Sequence, residues 1–175
     1  MNDRPGGGRR RSATDGIRVG IGHDTHRLKA GGPLRLGGID IPHDRGSVGH
    51  SDGDALLHAV IDALLGAAAL GDVGLMFPDT DPDNRGRDSA EMLAVALEAV
   101  TTLGWSIVNI DCIVFAQRPK LLTHRQAIRE RLAEILGIEP ERIGLQAKTG
   151  EGIGPIGHED AIAAQCVALL GRENA

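Results

Sequence analysis

Aromatic side chains are nearly missing from this 175-residue chain, which has one Trp, two Phe and no Tyr. Its core must therefore be aliphatic, and 41% hydrophobic residues are enough to build one. Cysteine is equally scarce. Cys112 and Cys166 each sit inside an apolar run and form no CxxC pair. Both are expected to be buried, reduced thiols, which suits a cytoplasmic protein. No apolar run is long enough to span a bilayer, and no signal-peptide core follows the N-terminus, so no membrane role is expected. The formal net charge is −5, which argues against nucleic-acid binding. No GxxxxGK[ST] P-loop and no GxSxG elbow is present.

Glycine, by contrast, is abundant, with 25 residues gathered in segments that also hold polar side chains. This pattern suggests functional loops. Residues 1–16 read as a polar tail in which Arg9, Arg10 and Arg11 form a solvated run. Residues 17–172 read as one domain, α+β or α/β, and an α+β fold with a mixed sheet packed against helices is the expectation adopted. Strands are expected at residues 17–22, 105–116 and 143–148. A hairpin is expected across Gly37-Gly38. Helices are expected over residues 53–70, 89–103 and 123–136. The second would open on an Asp88/Glu91 capping box, and the third on one between Thr123 and Gln126. Residues 149–158 read as a loop. Residues 161–170 could be strand or helix; a strand is preferred, because it would pair with its neighbour across that loop.

Two segments suggest a metal. Asp24 and His26 lie two apart after the first strand, so in extended chain both point to one side. An ordinary polar loop is the alternative. In the first helix Asp54, His58 and Asp62 recur every four residues on a helix without Lys, Arg or Glu. Such a stripe is better read as facing a site than as facing solvent. Asp24, His26 and His58 would hold a divalent ion and leave a fourth position open, with Asp54 or Asp62 orienting a ligand histidine. Ser51 or Asp52 either caps this helix or yields its free N–H groups to a phosphate.

Other features are weaker. Phe77-Pro78-Asp79-Thr80-Asp81 is a stiff polar loop, and Gln117 to Lys120 end a strand where backbone groups and a lysine could meet a nucleotide. Gly152 to Gly157 matches GxGxxG, but Pro155 and the apolar run beyond it do not make a phosphate-binding helix start, and too little chain follows for a dinucleotide fold. Glu151 is a plausible second-cation ligand on a diphosphate.

Taken in order, Asp24-Thr25-His26, the run from His50-Ser51-Asp52-Gly53-Asp54 to His58, Gly71 to Gly74, Phe77 to Asp81, Ala116 to Lys120 and Ala147 to Glu151 closely resemble the 2-C-methyl-D-erythritol 2,4-cyclodiphosphate synthase family of the non-mevalonate (MEP) isoprenoid pathway. The resemblance spans roughly residues 17–170. It implies a homotrimer with active sites between subunits, acting on a cytidine diphosphate substrate. It implies Zn2+, or another divalent transition metal, on Asp24, His26 and His58, and Mg2+ or Mn2+ on Glu151 through the diphosphate. His50, Ser51, Asp72, Val73, Gly74, Phe77, Pro78, Asp79, Thr80 and Asp81 would receive the erythritol phosphate. Ala116, Gln117, Arg118, Pro119, Lys120, Leu121, Leu122, Ala147, Lys148 and Thr149 of the adjacent subunit would hold the nucleotide. His50 and Thr149 would stabilise the transition state.

The implied reaction converts 4-diphosphocytidyl-2-C-methyl-D-erythritol 2-phosphate to the 2,4-cyclodiphosphate and releases CMP. Lys148 stands where the family often has Thr. Pro155 and His158 replace Phe and Arg near the trimer channel, where an isoprenoid diphosphate would bind in relatives. The same metal site would also serve a phosphohydrolase or a non-catalytic zinc-stabilised trimer.

Overall fold

The computed structural model describes residues 16–172. The arginine run of the tail lies outside them. Seven strands and five helices follow in chain order: β1 (Ile17–Ala30), β2 (Leu34–Leu36), β3 (Ile39–Ile41), β4 (Arg45–Val48), α1 (Ala55–Ala68), α2 (Val73–Met76), α3 (Ser89–Thr102), β5 (Ser106–Phe115), α4 (Arg125–Leu136), β6 (Ile143–Lys148), α5 (Gly154–Gly157) and β7 (Ala161–Gly171). A five-stranded sheet runs β4-β1-β7-β5-β6, with only β5 and β6 parallel. The hairpin β2–β3 turns at Gly37-Gly38 as expected, with both glycines at positive φ.

The first strand is more than twice the expected length, because β7 pairs with it as far as Arg27 and β4 then takes over. Asp24 and His26 therefore lie inside a strand rather than after one. Their polar neighbours His23 and Thr25 fall on the exposed face, so alternation continues where an apolar count would stop. The last strand is real but its expected partner is wrong. Strand β7 pairs with β1 and β5, while β6 pairs only with β5. The loop before β7 carries the chain over β5 to the middle of the sheet.

Helix α4 starts at Arg125, two residues later than expected, because residues Leu121–Thr123 form a 3₁₀ turn. The Thr123 hydroxyl donates to the Lys120 carbonyl, and no Thr123/Gln126 capping box forms. The expected cap at Asp88 does form, its carboxylate accepting from Ala90 N–H. Within the 149–158 loop the chain makes the short helix α5.

Helix α1 lies across β1 and β7 with twelve of its fourteen residues buried. It approaches so closely that a Cβ on Gly22 would stand 2.0 Å from the Ala59 carbonyl oxygen, and one on Gly20 2.0 Å from that of Ala63. Glycine at both positions lets the helix backbone rest on the strand. Cys112 and Cys166 face each other across β5 and β7 as buried free thiols in the aliphatic core. On the opposite face of the sheet the first half of β1 is apolar and open: Ile17, Val19 and Ile21 are 59, 68 and 69% exposed, beside Val167. No helix among the described residues is long and apolar enough to cross a membrane.

Candidate metal and substrate site

Period-two geometry on β1 places Asp24 and His26 on the face turned towards α1, and the first turn of α1 brings His58 to them. One ligand atom from each lies within 4.8 Å of the others. Asp24 Oδ1 accepts from Thr25 N–H at 2.8 Å. The other oxygen, Oδ2, stands 2.9 Å from His26 Nδ1 and 2.9 Å from His58 Nδ1. His26 Nδ1 is buried and makes no hydrogen bond despite that distance. Contacts this short need either a proton or a metal ion between the carboxylate oxygen and each ring nitrogen. An acid and two imidazoles from two elements, converging on one point, fit a divalent transition ion with one position open.

Protons compete for the same atoms. Burial alone would raise the Asp24 carboxyl, but the two imidazoles bonded to and charged beside it hold it well below the usual carboxylate range. Burial would likewise lower His58, but Asp24 overrides this and raises it above its ordinary value. The metal-free site therefore holds a proton on His58 up to a higher pH than a free imidazole would. A metal must displace that proton, so its affinity should fall about tenfold per pH unit below the raised pKa. Zinc titrations at several pH values, read against a competing chelator, check this. A flat profile between pH 6 and 8 would contradict it.

The polar stripe on α1 divides its work. Only His58 serves the metal point. Asp54 is fully buried at the N-cap, with Oδ1 accepting from Gly37, Leu56 and Leu57 N–H and Oδ2 from Gly38 N–H. Asp62 accepts from Val73 N–H at 2.7 Å and so ties α2 to α1. Neither hydrogen-bonds a ligand histidine as expected: both Asp54 oxygens serve backbone N–H groups, and Asp62 turns to Val73. Neither Ser51 nor Asp52 is the N-cap of α1. Ser51 Oγ accepts from Gly53 N–H, and Asp52 reaches across to the start of α3.

Beside the metal point lies a hollow of about 180 Å³ lined by His26, His50, Ser51, His58, Val73, Gly74, Phe77 and Asp79, with Asn84 and Met92. It adjoins a wider one of about 540 Å³, which shares His50 and Asp79 and adds Thr80, Asp81, Pro82 and Arg85. Most of the expected erythritol-phosphate residues thus converge. Asp72 does so indirectly, as the N-cap of α2. Pro78 contributes its carbonyl, which accepts from the buried Asn84 side chain and fixes the loop.

The expected nucleotide residues lie elsewhere. Gln117, Arg118, Pro119 and Lys120 line a cavity of about 680 Å³ with His43, Asp44 and Glu159. Leu121, Leu122, Ala147 and Lys148 line another of about 330 Å³ with Arg125 and Ile128. Neither cavity shares a residue with the metal-side hollows. Thr149 donates to Glu151 at 2.5 Å, and Glu151 is exposed at φ +51°, a single carboxylate that needs phosphate oxygens to complete any ion's shell. Pro155 sits in the first turn of α5, and His158 closes it.

Sequence reasoning missed Ser89, Asn84 and His43. Ser89 opens a helix and Asn84 sits in a turn, so local pattern assigns both a structural role.

Known proteins share this sequence and fold. The YgbB family profile matches residues 17–171. A 2-C-methyl-D-erythritol 2,4-cyclodiphosphate synthase of Gemmatimonas aurantiaca is 53% identical over 88% of this chain and 93% of its own. A solved structure of such a synthase superposes with TM-score 0.82 at 46% identity, over 87% of this chain and 99% of that one. A Plasmodium falciparum relative, solved as a CDP complex, does so with TM-score 0.81 at 34% identity, over 91% of this chain and 98% of that one. With half its residues shared with a named synthase and its fold matched nearly end to end, this chain belongs to the YgbB family of 2-C-methyl-D-erythritol 2,4-cyclodiphosphate synthases.

Proposed function

We propose that the chain converts 4-diphosphocytidyl-2-C-methyl-D-erythritol 2-phosphate to 2-C-methyl-D-erythritol 2,4-cyclodiphosphate and CMP, with zinc on Asp24, His26 and His58. The observation that carries this reading is the trio of ligand atoms around Asp24 Oδ2, opening onto the hollow of His50, Phe77 and Asp79. The substrate supplies its own nucleophile. An oxygen of its 2-phosphate bonds to the β-phosphorus while the bond from that phosphorus to CMP breaks. No serine or cysteine nucleophile is needed. The protein must fold the substrate back on itself and offset the crowded negative charge.

The residues divide that work. His50 and the backbone of Val73 and Gly74 hold the erythritol phosphate. Arg118, Lys120 and Lys148 carry positive charge to the nucleotide end, and Glu151 anchors Mg2+ on the diphosphate. Thr149 and His50 face the phosphorus that is attacked. Bound at Asp24, His26 and His58, a divalent ion supplies Lewis-acid polarisation of phosphate oxygens.

The assembly is a homotrimer with each site shared by two copies. Two features support this. The metal-side and nucleotide-side hollows of one chain share no lining residue, and the open sheet face carries exposed Ile17, Val19 and Ile21. Covering such a face is the usual role of a subunit contact. Buried free thiols suit a cytoplasmic setting.

The test is CMP release from the named substrate with zinc and magnesium present. Release is expected to require both ions and to stop on chelation. Absence of release under every metal condition would overturn the proposal.

A further inference from the structure

The geometry points to Ser89, anchored by Asp52, as the residue that fixes the tautomer and aim of His58, a positioning role outside the ligand set. His58 Nε2 lies 2.9 Å from Ser89 Oγ, on a ring that is only 10% exposed. The Ser89 hydroxyl has one proton, and it donates that proton to Asp52 Oδ1 in a short hydrogen bond. Its oxygen is therefore left as an acceptor towards His58, so Nε2 must carry the hydrogen. In the neutral ring that a metal ligand must be, this places the bare lone pair on Nδ1, the atom 2.9 Å from Asp24 Oδ2.

Asp52 is itself held from three sides. Its Oδ2 accepts from Ser89 N–H at 3.2 Å, its Oδ1 from Asp54 N–H at 3.3 Å, and the Arg35 guanidinium stands 3.6 Å away. Arg35 also reaches Asp88, the N-cap of α3, at 3.5 Å. The chain Arg35–Asp52–Ser89–His58 thus links the β2–β3 hairpin and the start of α3 to the metal point. Ser51 Oγ lies 3.0 Å from the same Nε2. Its other contacts are long ones, from Gly53 N–H at 3.3 Å and with Ser89 Oγ at 3.5 Å, so with the hydrogen on Nε2 its own hydroxyl proton stays free for the adjoining hollow. Ser89 is fully buried and Ser51 is not, which separates a fixed acceptor from a residue open to ligand.

The inference rests on the reading of Asp24, His26 and His58 as metal ligands. It is tested on the full-length protein by zinc competition with a chromophoric chelator and by 15N–1H correlation spectra of the histidine rings. Ser89→Ala keeps the backbone N–H bond to Asp52, so the start of α3 should survive. Zinc dissociation should become about 10–100-fold easier. In the zinc-loaded wild type the His58 Nε2–H should exchange slowly with solvent, and in Ser89→Ala it should exchange fast. A purely structural role would leave that exchange unchanged once zinc is bound. Zinc affinity equal to wild type in Ser89→Ala would overturn the inference, as would a spectrum of the zinc-loaded wild type with the His58 hydrogen on Nδ1. The second outcome needs no variant to fold. A wild type that binds no zinc at all would instead sink the underlying metal reading.

Discussion

His58→Ala is expected to lose bound zinc and to lower turnover by about 10³-fold or more, because one of three ligands disappears and the ion's polarising charge goes with it. The residue is 7% exposed within a well-packed helix, so some loss of stability accompanies the change. The two effects can be separated. Metal content by atomic emission and CMP release should fall together, while the far-ultraviolet circular dichroism of the variant stays that of a folded α+β protein. Asp24 and His26 remain on β1 and are too few to hold the ion. Normal zinc content with normal CMP release in His58→Ala would remove the metal site from the account.

The largest stability effect is expected at Asp54, not at a metal ligand. Its carboxylate receives four backbone N–H groups, two from the first turn of α1 and two from the Gly37-Gly38 turn of the hairpin. Burial pushes its pKa up while those donors pull it down, and the upward push is the larger. Ala at this position loses the helix cap and strands the two hairpin N–H groups in the core. The metal-free protein should be destabilised by about 3–5 kcal/mol, from the cap and the orphaned donors together. A urea titration of metal-free Asp54→Ala should show a much lower midpoint with an unchanged slope. A midpoint within error of wild type would mean that the hairpin and α1 are held together by something else.

These two neighbours on one helix face show what the sequence could reveal. The stripe Asp54, His58 and Asp62 correctly marked a face without solvent-type charges. It singled out His58 as the candidate ligand but could not tell what the two aspartates do, because each is claimed by a different distant element, Asp54 by the hairpin and Asp62 by α2. Asp24 and His26 were legible because the period of two needs only local backbone. The true length of β1 was hidden by polar residues on its outer face, and the place of β7 depends on pairing across the whole sheet. Ser89 was invisible for the same reason. Its partners His58 and Asp52 lie more than thirty positions earlier in the chain. The division of the site between two sets of hollows was not in the residues either. It became an expectation only through the family resemblance.

The central claim is that a phosphate of the substrate, and not water, attacks the β-phosphorus. Phosphorus NMR of the product mixture, formed with zinc and magnesium present, reads this directly. The account predicts two mutually coupled phosphorus signals of a cyclic diphosphate, alongside CMP in equal amount. Release of CMP with an open-chain product bearing two separate, uncoupled phosphomonoesters would mean that water is the attacking group, and would contradict it.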